Sequence, residues 1–360
     1  MIIGFDGRYA EGDLVGVGKF IQNLVSRVAK KGLNCIVFYS REPKVKIPGV
    51  KSVVLNSLNR YHFEQVLLPL ALKKYKVDLY HATGNVGIPL FCPVPAVLTV
   101  HDIIPLEIKD YFSYSPFRFL SKLSYALRLK TSICKAAKVV TDSNYVKNEL
   151  IRKLNIAPVK IQTIYLGSPN IANFGKLTST LSGKKYILNH GGIDIRKNLD
   201  RLLEAFALVH KKHDEVKLVI TGENKRIRQN LEELIIKLNL KKTVVFTGYV
   251  DEASLNAIIK SALLICYPTL SEGFGFPLLE GFEAGVPVIS SNTSSIPEIA
   301  GNAAILLDPE SVTEIASAME KVLSDQKLAA QMVSKGKEQY NKFSWGKSVD
   351  EYLDLYNSIQ

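Results

Sequence analysis

The sequence predicts an α/β protein of two domains, each a parallel sheet flanked by helices. Three observations predict it. The chain has 360 residues, beyond the roughly 250–300 at which a single core stops growing. Short apolar runs alternate with longer amphipathic stretches from one end to the other. That alternation breaks once, in a turn-rich stretch at residues 167–184.

In the first half the apolar runs are residues 2–5, 35–39, 53–55, 77–81, 96–101, 139–141 and 161–165. In the second half they are residues 186–190, 216–221, 244–247, 262–267, 286–290 and 304–307. Each has the length of a strand buried on both faces and is rich in Val, Ile and Tyr. Residues 18–31 carry Phe20, Ile21, Leu24, Val25 and Val28 at helical spacing, and residues 199–210 repeat this with Leu199, Leu202, Leu203, Phe206 and Val209. Strand and helix in alternation imply parallel sheets with right-handed crossovers, hence two Rossmann-like domains. The division expected is residues 1–170 and 171–342. After Asp308-Pro309 the pattern is helical, broken at Phe343-Ser344-Trp345. Residues 343–360 then form a last helix, with Ser344 suited to cap it.

No segment approaches the roughly 20 uninterrupted apolar residues that span a bilayer. Met1-Ile2-Ile3-Gly4-Phe5-Asp6 has no basic leader and reads as a buried strand, not a signal peptide. Cys35, Cys92, Cys134 and Cys266 are scattered, which points to buried thiols in a reduced cytoplasm, not to disulfides or zinc. Of the net charge of +12, residues 1–170 carry +13, from 24 basic and 11 acidic residues, and the remainder −1, from 22 and 23. An anionic partner for the first half follows: nucleic acid, a phospholipid surface or a phosphorylated acceptor.

The most informative segment reads Ser271-Glu272-Gly273-Phe274-Gly275-Phe276-Pro277-Leu278-Leu279-Glu280. It follows an expected strand and runs into an expected helix, for which Pro277 is a good first residue and Gly285 a C-cap. Such a junction at the carboxyl edge of a parallel sheet is where α/β folds bind ligands, and helix N-termini favour phosphate. Gly273 and Gly275 permit close backbone approach. Glu280, one turn into the helix, can accept bonds from both hydroxyls of a ribose, and Glu272 can face a sugar. Singly, each residue reads as well as a surface acid, a dipole-complementing glutamate or a plain turn; the ten-residue combination does not.

Glu272 and Glu280, with seven residues between them and Gly-Phe-Gly after the first, resemble the E-x7-E motif of family 4 glycosyltransferases, retaining enzymes of the GT-B architecture. Gly191-Gly192-Ile193-Asp194-Ile195-Arg196-Lys197-Asn198-Leu199 resembles the family's phosphate-binding strand-loop-helix. Phe246-Thr247-Gly248-Tyr249-Val250 resembles its base-contacting loop. Ala284-Gly285-Val286-Pro287-Val288 and Ile296-Pro297-Glu298 match later stretches. The resemblance covers essentially the whole chain. It implies two Rossmann-like domains facing across a cleft, the last helix crossing back to the first. Lys197, with Arg196, would neutralise the donor diphosphate. Backbone amides of Phe274, Gly275 and Phe276 would hold sugar hydroxyls or phosphate. Glu272 would contact the sugar, Glu280 the ribose and Tyr249 the base through its backbone. Gly192 stands where the family often has Arg, so the family's lysine-arginine clamp is either incomplete or rebuilt by Arg196. This form resembles mannosyltransferase and rhamnosyltransferase subfamilies.

In the first half, Gly16-Val17-Gly18 opens the first helix, but Ile21 occupies the last position of a dinucleotide fingerprint. It resembles the family loop that faces the diphosphate. His101-Asp102 closes a strand. Alone, His101 reads as a structural residue; its resemblance to the family's Thr-Val-His-Asp segment implies that it touches the transferred sugar or orients the acceptor. Ser143 reads as an N-cap. Residues 117–138 set Arg118, Lys122, Arg128, Lys130, Lys135 and Lys138 among Phe117, Phe119, Leu120, Leu123, Tyr125, Leu127, Leu129 and Ile133. They read either as a basic helix lying on an anionic membrane or as a core helix with a solvated basic face.

The implied chemistry is displacement of a nucleoside diphosphate from an anomeric carbon. No Asp-x-Asp occurs in the sequence, and no cofactor or metal is expected; Arg196, Lys197 and a helix N-terminus would stabilise the leaving group. With both glutamates assigned to the donor, front-face substitution is expected. The expected partners are a nucleotide-sugar donor, GDP-mannose or a UDP-hexose, and a saccharide or lipid-linked acceptor. The expected location is cytoplasmic, peripheral on the inner membrane face. Competing readings are a GT-B epimerase or phosphorylase, a non-catalytic GT-B subunit and a nucleic-acid-binding protein. No recognition motif supports the last.

Overall fold

The computed structural model describes residues 1–12, 16–108, 111–112, 117–169, 175, 177 and 181–359. The expected boundary at residues 170 and 171 lies outside these. Two compact units emerge, Met1–Gly167 with Ser344–Gln360, and Ser168–Phe343.

The first unit holds β1 (Ile2–Asp6), β2 (Asn34–Tyr39), β3 (Lys51–Val54), β4 (Leu79–Ala82), β5 (Ala96–Val100), β6 (Lys138–Thr141) and β7 (Ile161–Thr163). They form one sheet in the order β3-β2-β1-β4-β5-β6-β7, and every pairing is parallel. Every residue of β4 and β5 is buried, which explains why these strands read as continuous apolar runs. Helix Val17–Lys30 buries Phe20, Ile21, Leu24, Val25 and Val28, the stripe its spacing predicts.

Helix Trp345–Asn357 belongs to this unit, its N-cap Ser344 accepting from the Gly346 amide at 3.2 Å. Tyr352 and Tyr356 are fully buried. The Tyr356 hydroxyl lies 2.8 Å from Nδ1 of His81 in β4, whose Nε2 lies 2.7 Å from the Thr99 hydroxyl in β5. The last helix is therefore part of the first unit's core. Gly167 allows this: a Cβ there would stand 2.2 Å from Cγ of Trp345.

Helix Arg118–Lys135 has a divided apolar surface. Leu129, Ser132 and Ile133 are buried, whereas Phe119, Leu120, Leu123 and Leu127 are exposed. The buried side fits the reading as a core-packed helix. The Arg118 side chain, part of the expected basic face, lies outside the described residues.

The second unit holds β8 (Lys185–Asn189), β9 (Val216–Thr221), β10 (Val244–Gly248), β11 (Leu264–Tyr267), β12 (Val288–Ser291) and β13 (Ile305–Leu307). Their order is β10-β9-β8-β11-β12-β13, again parallel throughout. Counted within the unit, this is the 3-2-1-4-5-6 order of a dinucleotide-binding sheet. Helix Leu199–His210 buries its predicted stripe. The order reverses between β8 and β11, and a crevice at their carboxyl ends is the expected ligand site.

Candidate active site

The loops leaving β8 and β11 meet at that reversal. After β8 the chain passes His190, Gly191 and Gly192 into a single 3-10 turn, Ile195–Lys197. Asp194 caps the turn, its side chain accepting from the Arg196 amide at 3.1 Å. Asn198, in the left-handed region at φ 57°, donates through Nδ2 to the carbonyls of Pro268 and Pro309 at 3.0 and 2.6 Å. The Arg196 carbonyl accepts from the Leu270 amide at 2.7 Å and the Thr269 hydroxyl at 3.0 Å. The two loops are thereby tied together by backbone as well as side chains.

Glu272 is the hub. Its Oε1 accepts from Lys197 Nζ at 2.7 Å, from the Tyr267 hydroxyl at 2.5 Å and from the Thr269 hydroxyl at 3.0 Å. Its Oε2 accepts from Arg196, and Lys197 also reaches the Tyr267 hydroxyl. Glu272 is 8% exposed and Lys197 3%. Burial by itself would raise the Glu272 carboxyl, but the charges of Lys197 and Arg196 outweigh it and hold the group at about 2. Asp194 Oδ1 also lies 3.6 Å from Arg196 Nε, so two cations and two carboxylates gather beside a helix N-terminus.

That helix is Phe276–Ala284, with Gly275 at its N-cap and Gly285 at its C-cap. Gly275 has φ 119°, a conformation that L side chains rarely adopt. The Ser295 hydroxyl pins the approach by donating to the carbonyls of Glu272 and Phe274 at 2.9 and 2.8 Å. Phe274 is buried against Phe276 and Phe343, with ring centroids 5.3 and 5.8 Å away. Glu280, on the second turn, lies 2.8 Å through Oε2 from Nε2 of His190. Tyr249, just after β10, is exposed. Gly192 has φ 90° with nothing within 4 Å of a Cβ, and a Cβ on Gly222 would stand 2.6 Å from the Gly192 Cα. The loop after β9 thus packs directly on the loop after β8.

The structure therefore brings Arg196, Lys197, Glu272, Phe274, Gly275, Phe276 and Glu280 to adjoining loops of one unit. Tyr267, Thr269 and His190 join them. The sequence reading missed these three, although each stands at or just past a strand's carboxyl end, where such a search could begin.

In the first unit, Gly16 is the N-cap of helix Val17–Lys30, and Gly18 is buried on it. His101 follows β5, and both its ring nitrogens are engaged within the unit. Nδ1 lies 2.6 Å from Asp142 Oδ2 and Nε2 2.8 Å from the Thr83 carbonyl. Its amide donates to Asn85 Oδ1 at 2.7 Å, and the Phe20 ring meets its ring edge-on at 4.8 Å. Burial would lower the imidazole, but Asp142 outweighs it and the group is raised. This histidine holds the ends of β4, β5 and β6 together. Ser143 caps helix Asn144–Leu154, as its position suggested.

Residues 15–168 match the family Glycosyltransferase Family 4, and residues 177–339 match Glycosyl transferases group 1. The chain is 28% identical over 298 residues to the O-antigen chain mannosyltransferase B of Escherichia coli, covering 80% of this chain and 76% of that protein. Among solved structures, sucrose-phosphate synthase from Thermosynechococcus elongatus is similar with a TM-score of 0.81 at 18% identity, over 99% of this chain and 98% of the other. Anabaena Alr3699/HepE in complex with UDP and glucose is similar with a TM-score of 0.79 at 16% identity, over 99% and 100%. At these identities the structures establish the fold, GT-B with two Rossmann-like domains. With a family match on each half of its sequence, the chain belongs to the group 1, family 4 glycosyltransferases.

Proposed function

We propose that this glycosyltransferase moves a hexose, with retention and without a metal ion, from a nucleotide sugar to a saccharide or lipid-linked saccharide during synthesis of a surface polysaccharide or glycoconjugate. The observation that carries the reading is the convergence of Arg196, Lys197 and Glu272 where the strand order reverses, beside the helix that carries Glu280. The donor diphosphate would take over the cations, freeing Glu272 for sugar hydroxyls, while Glu280 accepts from the ribose and the backbone near Tyr249 meets the base. The acceptor oxygen bonds to the anomeric carbon as the bond from that carbon to phosphate breaks. The acceptor's proton passes to a phosphate oxygen, on the same face. Once shifted to the bound donor, Arg196 and Lys197 stabilise the departing charge without further reorganisation. The first unit takes the acceptor, which the His101 edge would orient.

Similarity to a mannosyltransferase supports GDP-mannose as donor. UDP and glucose in a protein of the same fold support a UDP-hexose as the second choice. Thermal shifts with UDP, GDP, dTDP and ADP, followed by transfer assays with the matching sugars, test this. One nucleotide should raise Tm and its sugar should be transferred with retained anomeric configuration; no shift with any of the four overturns the reading.

A peripheral position on an anionic membrane is part of the same proposal. The exposed stripe Phe119, Leu120, Leu123 and Leu127 on helix Arg118–Lys135 supports it, as does the +13 charge of residues 1–170. Among the described residues no helix is long and apolar enough to cross a membrane. Cosedimentation with phosphatidylglycerol vesicles, absent for Leu120→Glu/Leu123→Glu and for pure phosphatidylcholine, is the expected result. Equal binding by the variant refutes it.

A further inference from the structure

His190 stands at the carboxyl end of β8, in the strand pair where the order reverses. Its side chain is 1% exposed. Nε2 lies 2.8 Å from Glu280 Oε2, and a carboxylate only accepts, so Nε2 carries the hydrogen. Nδ1 is buried with no hydrogen-bond partner among the described residues. A buried ring nitrogen without a partner is unfavourable, and an apolar side chain would fill the place without that cost. What the histidine supplies is the bond to Glu280. The next residue, Gly191, brings the chain past the other half of the site: a Cβ there would lie 3.3 Å from Pro277 and 3.5 Å from Lys197 Nζ.

A glutamate on a helix has three rotatable bonds before its carboxylate. The His190 donor on Oε2 restrains the orientation of that group. We propose that His190 is the positioning residue that presents Glu280 to the ribose hydroxyls of the donor. The protein's preference for ribonucleotides over 2′-deoxyribonucleotides thus depends on a side chain that touches neither. The proposal rests on the reading of Glu280 as the ribose carboxylate.

Calorimetric affinities for the nucleoside diphosphate that shifts Tm and for its 2′-deoxy form test both, in wild type, Glu280→Ala, His190→Phe and His190→Gln. Wild type is expected to favour the ribose form about tenfold or more, the worth of one bond to a charged acceptor. Glu280→Ala should abolish the preference. His190→Phe should cut it several-fold through the ribose form alone, and His190→Gln, whose amide restores a donor, should recover part of it. Should His190→Phe not fold, His190→Asn, too short to reach Glu280, replaces it. If wild type shows no preference, or Glu280→Ala keeps it, the reading of Glu280 falls. If Glu280→Ala abolishes it and His190→Phe keeps it in full, or weakens both nucleotides equally, the role of His190 falls and that of Glu280 stands.

Discussion

The ammonium of Lys197 lies 2.7 Å from the carboxylate of Glu272, and both side chains are buried. Two charges taken out of water hold each other in place, and each is costly without the other. Arg196 closes the second carboxylate oxygen. The charges are thus held as a preformed ion pair at the sheet's reversal point.

Lys197→Ala should remove most transferase activity. It should also lower stability by about 3 kcal/mol, the low end for removing one partner of a buried pair, because Arg196 and Tyr267 remain. Lys197→Met/Glu272→Gln should regain most of that stability in urea melts while staying inactive. Near-wild-type turnover of Lys197→Ala would show that the cation does not serve the leaving group.

Stability should fall in mild acid because of His81. Burial, aided by the charge of His101, lowers its imidazole from the ordinary 6.5 to about 3. Below 6.5 the unfolded chain takes up a proton that the folded one refuses. Stability from this group is therefore full above 6.5 and is lost towards pH 3, at roughly 1.4 kcal/mol per pH unit. His101 acts oppositely: its raised value gives stability that is complete below 6.5 and is lost as pH rises through the folded value. Urea midpoints against pH should flatten on the acid side for His81→Gln and on the neutral-to-alkaline side for His101→Gln. Unchanged slopes in both would contradict these assignments.

Gly167→Ala should destabilise the protein by about 1–3 kcal/mol through overpacking. Its Cβ would stand 2.2 Å from Cγ and 2.3 Å from the backbone nitrogen of Trp345. A lowered Tm with unchanged near-ultraviolet circular dichroism from Trp345 would mean that the loop yields instead of the helix start.

Gly192→Arg, restoring the residue the wider family often carries, should cost about 1–2 kcal/mol. The backbone there sits at φ 90° although the space is open. We expect lower stability with no gain in kcat/KM, since Arg196 already reaches Glu272. A clear rise in kcat/KM would show that Arg196 does not replace the missing arginine.

The strands and their parallel arrangement were readable because a strand buried on both faces must be largely apolar, as β5 is apart from Thr99, and because helices such as Val17–Lys30 bury one stripe. The caps Ser143 and Ser344 were readable because a cap is a local bond. Glu272, Glu280 and Lys197 could be singled out as residues of a loop and a helix start, each in its own segment. Tertiary structure alone decided that Glu272 meets Arg196 and Lys197, 76 and 75 positions away, because β8 pairs with β11 while β9 and β10 lie on its other side. It also gave His101 to Asp142 and Thr83, and His81 to Tyr356. No spacing in the chain encodes such pairs: a side chain's partner depends on which strand becomes its neighbour, and the packing of the whole sheet decides that.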